Sequence, residues 1–229
     1  MKKIAIVQSN YIPWIGYFDL INSVDEFVLF DDVQFTKRDW RNRNNIKTPN
    51  GTLKLTIPVL TKGNFYQSIN ETKTNGSDWA AKHWETIRVS YKRSNFYEEI
   101  SSWLKPLYAD LKSENLSEIN YEFITAICSY LKLKTVISKS SDYNIIEGKT
   151  ERLASICKQA NASEYVSGPA AKIYMDEKIF QNMNLKLTWF DYPEYQEYSQ
   201  LWGKFEKNLS IIDLLYNMGP ESIDYIKIE

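Results

Sequence analysis

Three stretches of this 229-residue chain carry side chains suited to a small molecule rich in hydroxyls or phosphate. The first runs Gln8, Ser9, Asn10, Tyr11, Ile12, Pro13, Trp14, Ile15, Gly16. Gln8 and Asn10 offer paired amide donors and acceptors, Tyr11 and Trp14 offer aromatic faces, and Gly16 permits close backbone approach. A polar turn before a helix is the plainer alternative. The second stretch opens on the adjacent carboxylates Asp31 and Asp32 and continues through Gln34, Lys37, Arg38, Arg41, Asn42, Arg43 and Lys47, with Asp39 the lone acid among the five cations. Arginine grips phosphate bidentately, so this density in a chain of net charge −1 fits a bound pyrophosphate, against a solvated basic loop. Asp31 and Asp32 would hold a sugar hydroxyl, act as a base or bind Mg²⁺. Neighbours on a strand point to opposite faces, so at most one of them faces such a site.

The third stretch contains His83, the only histidine, which shares a helical face with Trp79, Ile87 and Tyr91. An imidazole with an ordinary pKa near ~6.5 is a natural general base for an amine or hydroxyl. A packed core histidine is the competing reading. Ser167-Gly-Pro-Ala-Ala follows a strand pattern and offers backbone N–H groups to a phosphate or carboxylate. Residues 192–196 either close over the sheet edge or form a plain surface loop.

The surrounding pattern says what must position these groups. Residues 3–8 are a short apolar run, as expected of a buried parallel strand, residues 14–24 have helical periodicity, and residues 27–30 are a second apolar run. Strand, loop, helix and strand make a right-handed βαβ unit, with both polar stretches at its carboxyl edge, where open α/β sheets bind ligands. Residues 33–47 are polar, basic and rich in aromatics, and are followed by a hairpin signal at Pro49-Asn50-Gly51 and an alternating strand over 52–58. Helices are expected over 79–91, over 96–111 with a kink or break at Pro106, and over 116–131 with Ser117 as cap. Strands at 135–138, 164–167 and 185–190, and helices at 150–160 and 211–217, complete a parallel, doubly wound α/β sheet with a helical and β-hairpin insertion. The expected organisation is a single domain over 1–229, with an insertion subdomain over approximately 45–130.

Composition narrows the partners. Hydrophobic residues make up 43% and charged residues 25%, an ordinary globular balance, and the net charge points to neither DNA nor a membrane surface. Cys128 and Cys157 fall in apolar helical patterns and read as reduced core thiols. A zinc site would need more than one histidine and two distant cysteines, so no metal site is expected, and no cofactor is named. No apolar run approaches the ~20 residues of a membrane span, and the expected location is cytoplasmic. Aromatic residues reach 14%, a weak pointer to stacked sugars or bases.

The chain resembles the WbqC-like family. The likeness is carried by residues 8–21, Leu29-Phe-Asp-Asp-Val-Gln-Phe, Trp40-Arg-Asn-Arg-Asn-Asn-Ile, residues 79–83, Tyr165-Val-Ser-Gly and residues 205–219. Ser9 departs from the proline the family pattern favours there. The resemblance implies a role in bacterial surface-polysaccharide, especially O-antigen, biosynthesis. The N-terminal loop also looks like a degenerate nucleotidyltransferase-like motif, with 13–17 standing where a His-x-Gly-His would be. The expected activity is a transferase modifying a nucleotide-linked amino sugar of UDP or dTDP type by N-acylation or aminoacylation, such as glycyl transfer, from a donor the sequence does not identify. His83, Asp31 or Asp32 would be the base. Arg41 and Arg43 would hold pyrophosphate, while Gln8, Asn10 and Asn42 contact the sugar or acyl group. Tyr11, Trp14, Gln34, Lys37 and Ser167 complete the binding set. Rival readings are a non-catalytic sugar-nucleotide or polysaccharide-assembly binding protein, and a glycosyltransferase with Mg²⁺ at Asp31 and Asp32. A homodimer is the assembly this reading allows.

Overall fold

A computed structural model describes residues 1–226. Strand β1 (Lys3–Val7) leads into α1 (Ile15–Asn22) and β2 (Glu26–Leu29). The two strands pair in parallel, Ile4 beside Glu26 and Val7 beside Leu29, so the expected βαβ unit is present. A hairpin follows, β3 (Arg43–Thr48) and β4 (Gly51–Thr56), and then α2 (Asp78–Tyr91), α3 (Tyr97–Ala109) and α4 (Leu116–Tyr130). The alternating pattern resumes with β5 (Val136–Lys139), α5 (Lys149–Gln159), β6 (Glu164–Ser167), α6 (Glu177–Asn182), β7 (Lys186–Trp189) and α7 (Ile211–Met218).

The five sheet strands lie in the order β5-β2-β1-β6-β7, all four pairings parallel. The chain builds outward from β1 through β2 and β5, then returns to β6 on the other side of β1. That reversal creates a crevice beyond the carboxyl ends of β1 and β6, since the loops leaving these two strands diverge to opposite faces. Alternation along the strands feeds two cores. Ala5, Phe27 and Leu29 pack with α1, α2, α3, α4 and α7, whereas Ile4, Ile6 and Val28 pack against α5 and α6. Helices therefore cover both faces. Cys128 and Cys157 sit buried in these separate cores, with both thiol pKa values pushed up to about 12 by burial.

Three local expectations are corrected. The alternative of a solvated basic loop fails over 43–48, which form a strand: Asn44 and Ile46 turn inward and the segment pairs with β4 through Thr56 and Leu53. Helix α3 runs unbroken through Pro106: proline deletes one backbone donor, but buried Ile100, Leu104 and Tyr108 anchor the helix on both sides of it. The cap of α4 is Asn115, whose side chain accepts from the Glu118 N–H. Ser117 spends its hydroxyl on Asp31 instead.

Candidate functional site

The loop leaving β1 is shaped by buried polar groups. The Ser9 N–H donates to the Asp31 carboxylate at 2.8 Å, and Ser117 Oγ donates to its other oxygen. Burial raises the Asp31 pKa, against the lowering effect of these donors. Asp32 accepts from Asn70 Nδ2 at 2.9 Å and from Ser140 Oγ. The two carboxylates share no donor, and each is held by the protein's own groups. Further along the loop, Asn44 Nδ2 donates to the carbonyls of Tyr11 and Ile12, and Ser210 Oγ donates to Ile12 as well. Ile12 has φ of 39°, a left-handed conformation that a β-branched residue adopts only under such restraint.

Among the described residues, Arg41 is the member of the basic stretch whose side chain hydrogen-bonds to this loop. Its guanidinium donates to Gln8 Oε1 at 2.7 Å and to Asn10 Oδ1, and lies 3.5 Å from Asp39. Asn120 Nδ2 donates to the Arg41 carbonyl at 2.9 Å. The other cations have different surroundings. Lys37 lies over the Phe65 ring, Arg38 is exposed, and Lys47 is buried with its ammonium on Gln200 and the Lys204 carbonyl. Arg43 occupies the first position of β3, and its buried Nε finds no hydrogen-bond partner among the described residues. Asn42 Nδ2 donates to Ile57 O, and exposed Gln34 donates to Phe65 O. The charge along the sequence is thus only partly kept together in space: Lys37 and Lys47 are drawn to other partners, whereas Arg41 and Arg43 both act on Asp39 and help hold its pKa down.

His83 is buried, its Nδ1 2.9 Å from the Tyr11 hydroxyl, which in turn lies 2.6 Å from Tyr108 Oη. Trp79 packs edge-on to the imidazole, and Phe123 packs edge-on to Tyr11. Burial lowers the His83 pKa to about 4. Tyr11 and His83 therefore belong to one aromatic core cluster.

A cleft of about 660 Å³ opens at the crevice between β1 and β6. Gln8 and Ser167, at the ends of those strands, both line it. Its other walls include Lys149 and Arg152 from the first turn of α5, the Gly168-Pro169-Ala170-Ala171 turn, Tyr174 and Tyr192. Arg152 is steadied by its Nε bond to the Gly148 carbonyl at 2.7 Å. Tyr192 belongs to the 192–196 segment, and its ring packs 5.5 Å from Trp14. Lys149, Arg152 and Tyr174 were not singled out from the sequence. The available signal was Gly148 directly before an amphipathic helix with two cations in its first turn, but only the strand order shows that this turn faces the end of β1. A smaller pocket of about 290 Å³ is lined by Asn10, Pro13, Trp14, Trp40, Asn44 and Asn208.

These features define a doubly wound α/β protein with a ligand-sized cleft at the switch point of a parallel sheet. The chain belongs to the WbqC-like protein family, whose sequence profile matches residues 8–225. It is similar to an uncharacterized protein of Mycobacterium tuberculosis strain H37Rv, 53% identical over 227 residues, which span 99% of this chain and 98% of the relative. No solved structure matches it, so the likeness to nucleotidyltransferases has no structural neighbour behind it. Among the described residues, no helix is long and apolar enough to cross a membrane.

Proposed function

We propose that the β1–β6 cleft binds a nucleotide-linked sugar and that the protein acts on it in surface-polysaccharide assembly, the pathway implied by the family resemblance. The observation carrying this reading is the composition of the cleft: cations from one helix turn, tyrosine faces and the short polar side chains of Gln8 and Ser167 around one cavity. Cations suit a diphosphate, aromatic rings suit a base or pyranose face, and amide and hydroxyl groups suit sugar hydroxyls. The volume lies within the ~300–1,000 Å³ of small-molecule sites. In the transferase form of this reading, an acyl carbon bonds to the sugar nitrogen, the donor's leaving group departs with its electron pair, and the nitrogen loses a proton.

A second reading, binding without chemistry, is favoured by the placement of the expected bases. The described residues lining the cleft include neither histidine nor carboxylate. His83 lies in the aromatic core, and Asp31 and Asp32 accept from the protein's own donors. Calorimetry with UDP- and dTDP-linked amino sugars tests the shared claim. Arg152→Ala should weaken binding by about 1.5–3 kcal/mol, the worth of a lost charge-assisted hydrogen bond. Unchanged affinity in both Arg152→Ala and Lys149→Ala variants would remove the phosphate wall and the reading with it. Mass spectrometry of copurifying small molecules separates the two forms: an acylated sugar nucleotide indicates transfer, an unmodified one indicates binding alone.

A further inference from the structure

We propose that the smaller pocket, walled by Trp14 and Trp40, is a second binding site and takes an uncharged saccharide. Its lining is three asparagines, one proline and two tryptophans, with no charged side chain among the described residues. That set does not suit a diphosphate, which wants cations, nor a purely apolar ligand, which gains nothing from amides. It suits a pyranose, whose C–H face stacks on an indole and whose hydroxyls both donate and accept. At about 290 Å³ the pocket is sized for one or two sugar rings and lies at the small end of the ~300 Å³ range for ligand sites.

The walls are built before any ligand arrives. The Trp40 carbonyl accepts from the Tyr11 N–H at 3.1 Å, and the Pro13 carbonyl accepts from the Ile211 N–H at 2.8 Å. Trp14 lies over Gly16, where an added Cβ would come within 2.4 Å of the indole, and its ring also packs edge-on against Tyr195. With the backbone placed in this way, Trp14 and Trp40 remain 37% and 45% exposed as residues, large aromatic side chains that the core does not bury. Asn44 spends its amide on the loop carbonyls and on the Asn45 N–H, so it serves as wall. Asn10 has its oxygen occupied by Arg41, which leaves its NH₂ as the donor it can offer a hydroxyl. Exposed Asn208 supplies a second amide.

Arg41 links the two cavities, since one guanidinium bonds Gln8 of the larger cleft and Asn10 of the smaller pocket. A saccharide in the pocket would lie across this group from whatever fills the cleft. The proposal does not depend on the identity of the cleft ligand.

The test is saturation-transfer NMR on the full chain, with the methyl glycosides of glucose, galactose and N-acetylglucosamine at about 10 mM, enough to populate a millimolar site. At least one glycoside should receive saturation, strongest at the ring protons of one face, and should quench tryptophan fluorescence. Trp40→Ala should cut affinity about tenfold or more, and Asn208→Ala should weaken it several-fold; both residues are exposed, and melting curves check that the variants fold. Excess UDP should leave the signal in place. No transfer to any of the three glycosides overturns the proposal, as does binding unchanged in both variants. Loss of the signal on adding UDP would assign the sugar to the larger cleft and overturn it too. Failure of UDP-sugars to bind the cleft, with glycoside binding intact, would count against the preceding reading alone.

Discussion

Burial settles what two of the most reactive-looking side chains contribute. His83 is held neutral with its pKa lowered to about 4, whereas an unfolded histidine titrates near ~6.5. Folding therefore excludes a proton between those values. The stability tied to this group is complete above pH ~6.5 and is lost as pH falls through that window, by up to roughly 3 kcal/mol. Asp213 works in the opposite sense: burial raises its pKa to about 6, so the cost of its buried charge is relieved on acidification. A His83→Gln variant, which keeps a polar group beside Tyr11 but cannot titrate, should melt at a lower temperature near pH ~7. It should also lose less stability than the parent between pH ~7 and pH ~4.5. Melting curves at the two pH values read both effects, and an identical pH response in parent and variant would contradict this account. Asp31 organises the loop after β1 by accepting from Ser9 and Ser117. Asp31→Ala should cost about 2–3 kcal/mol in urea titrations because two buried donors are stranded together, and a loss under ~0.5 kcal/mol would show that the loop holds without it.

Elements show local preference giving way to packing. Proline is disfavoured inside a helix by ~3 kcal/mol, yet α3 passes through Pro106 because the helix buries Ile100, Leu104 and Tyr108. Pro106→Ala should therefore stabilise the protein by about 1–2 kcal/mol, the helix gain less the entropy that proline removes from the unfolded chain. A lower denaturation midpoint in this variant would mean that the ring makes contacts worth more than the missing hydrogen bond. Strand β3 makes the same point. Its residues are polar, but Asn44 is drawn inward to satisfy the strained loop at Ile12, so a segment that composition marks as loop becomes a wall of the site.

At the scale of the whole molecule, the position of the cleft follows from strand order. Because β6 inserts beside β1 rather than beside β5, the turn after Ser167 and the first turn of α5 meet the end of β1. A ligand there bridges both halves of the chain and should stabilise them together. A nucleotide sugar at ~100 times its dissociation constant adds about 2.7 kcal/mol, which for a chain of this size is roughly 5–10 °C in melting temperature. Thermal shift with UDP- and dTDP-sugars measures it, with Arg152→Ala as the control that should lose most of the shift.

The sequence alone determined the local units. Apolar runs around a helical period specified the parallel β1–α1–β2 unit, Pro49-Asn50-Gly51 specified the hairpin, and Gln8 and Ser167 were recognisable as strand-end groups, because pattern and turn chemistry act over a few residues. Tertiary structure decided which of those groups meet. It gave Lys37 and Lys47 partners away from Arg41, sent His83 to an aromatic core, and brought Lys149 and Arg152 to Gln8 across more than half the chain. The physical reason is that side-chain proximity in a doubly wound sheet depends on strand order. Strand order is set by the burial of two opposite sheet faces against helices far apart in sequence, and no local pattern records it.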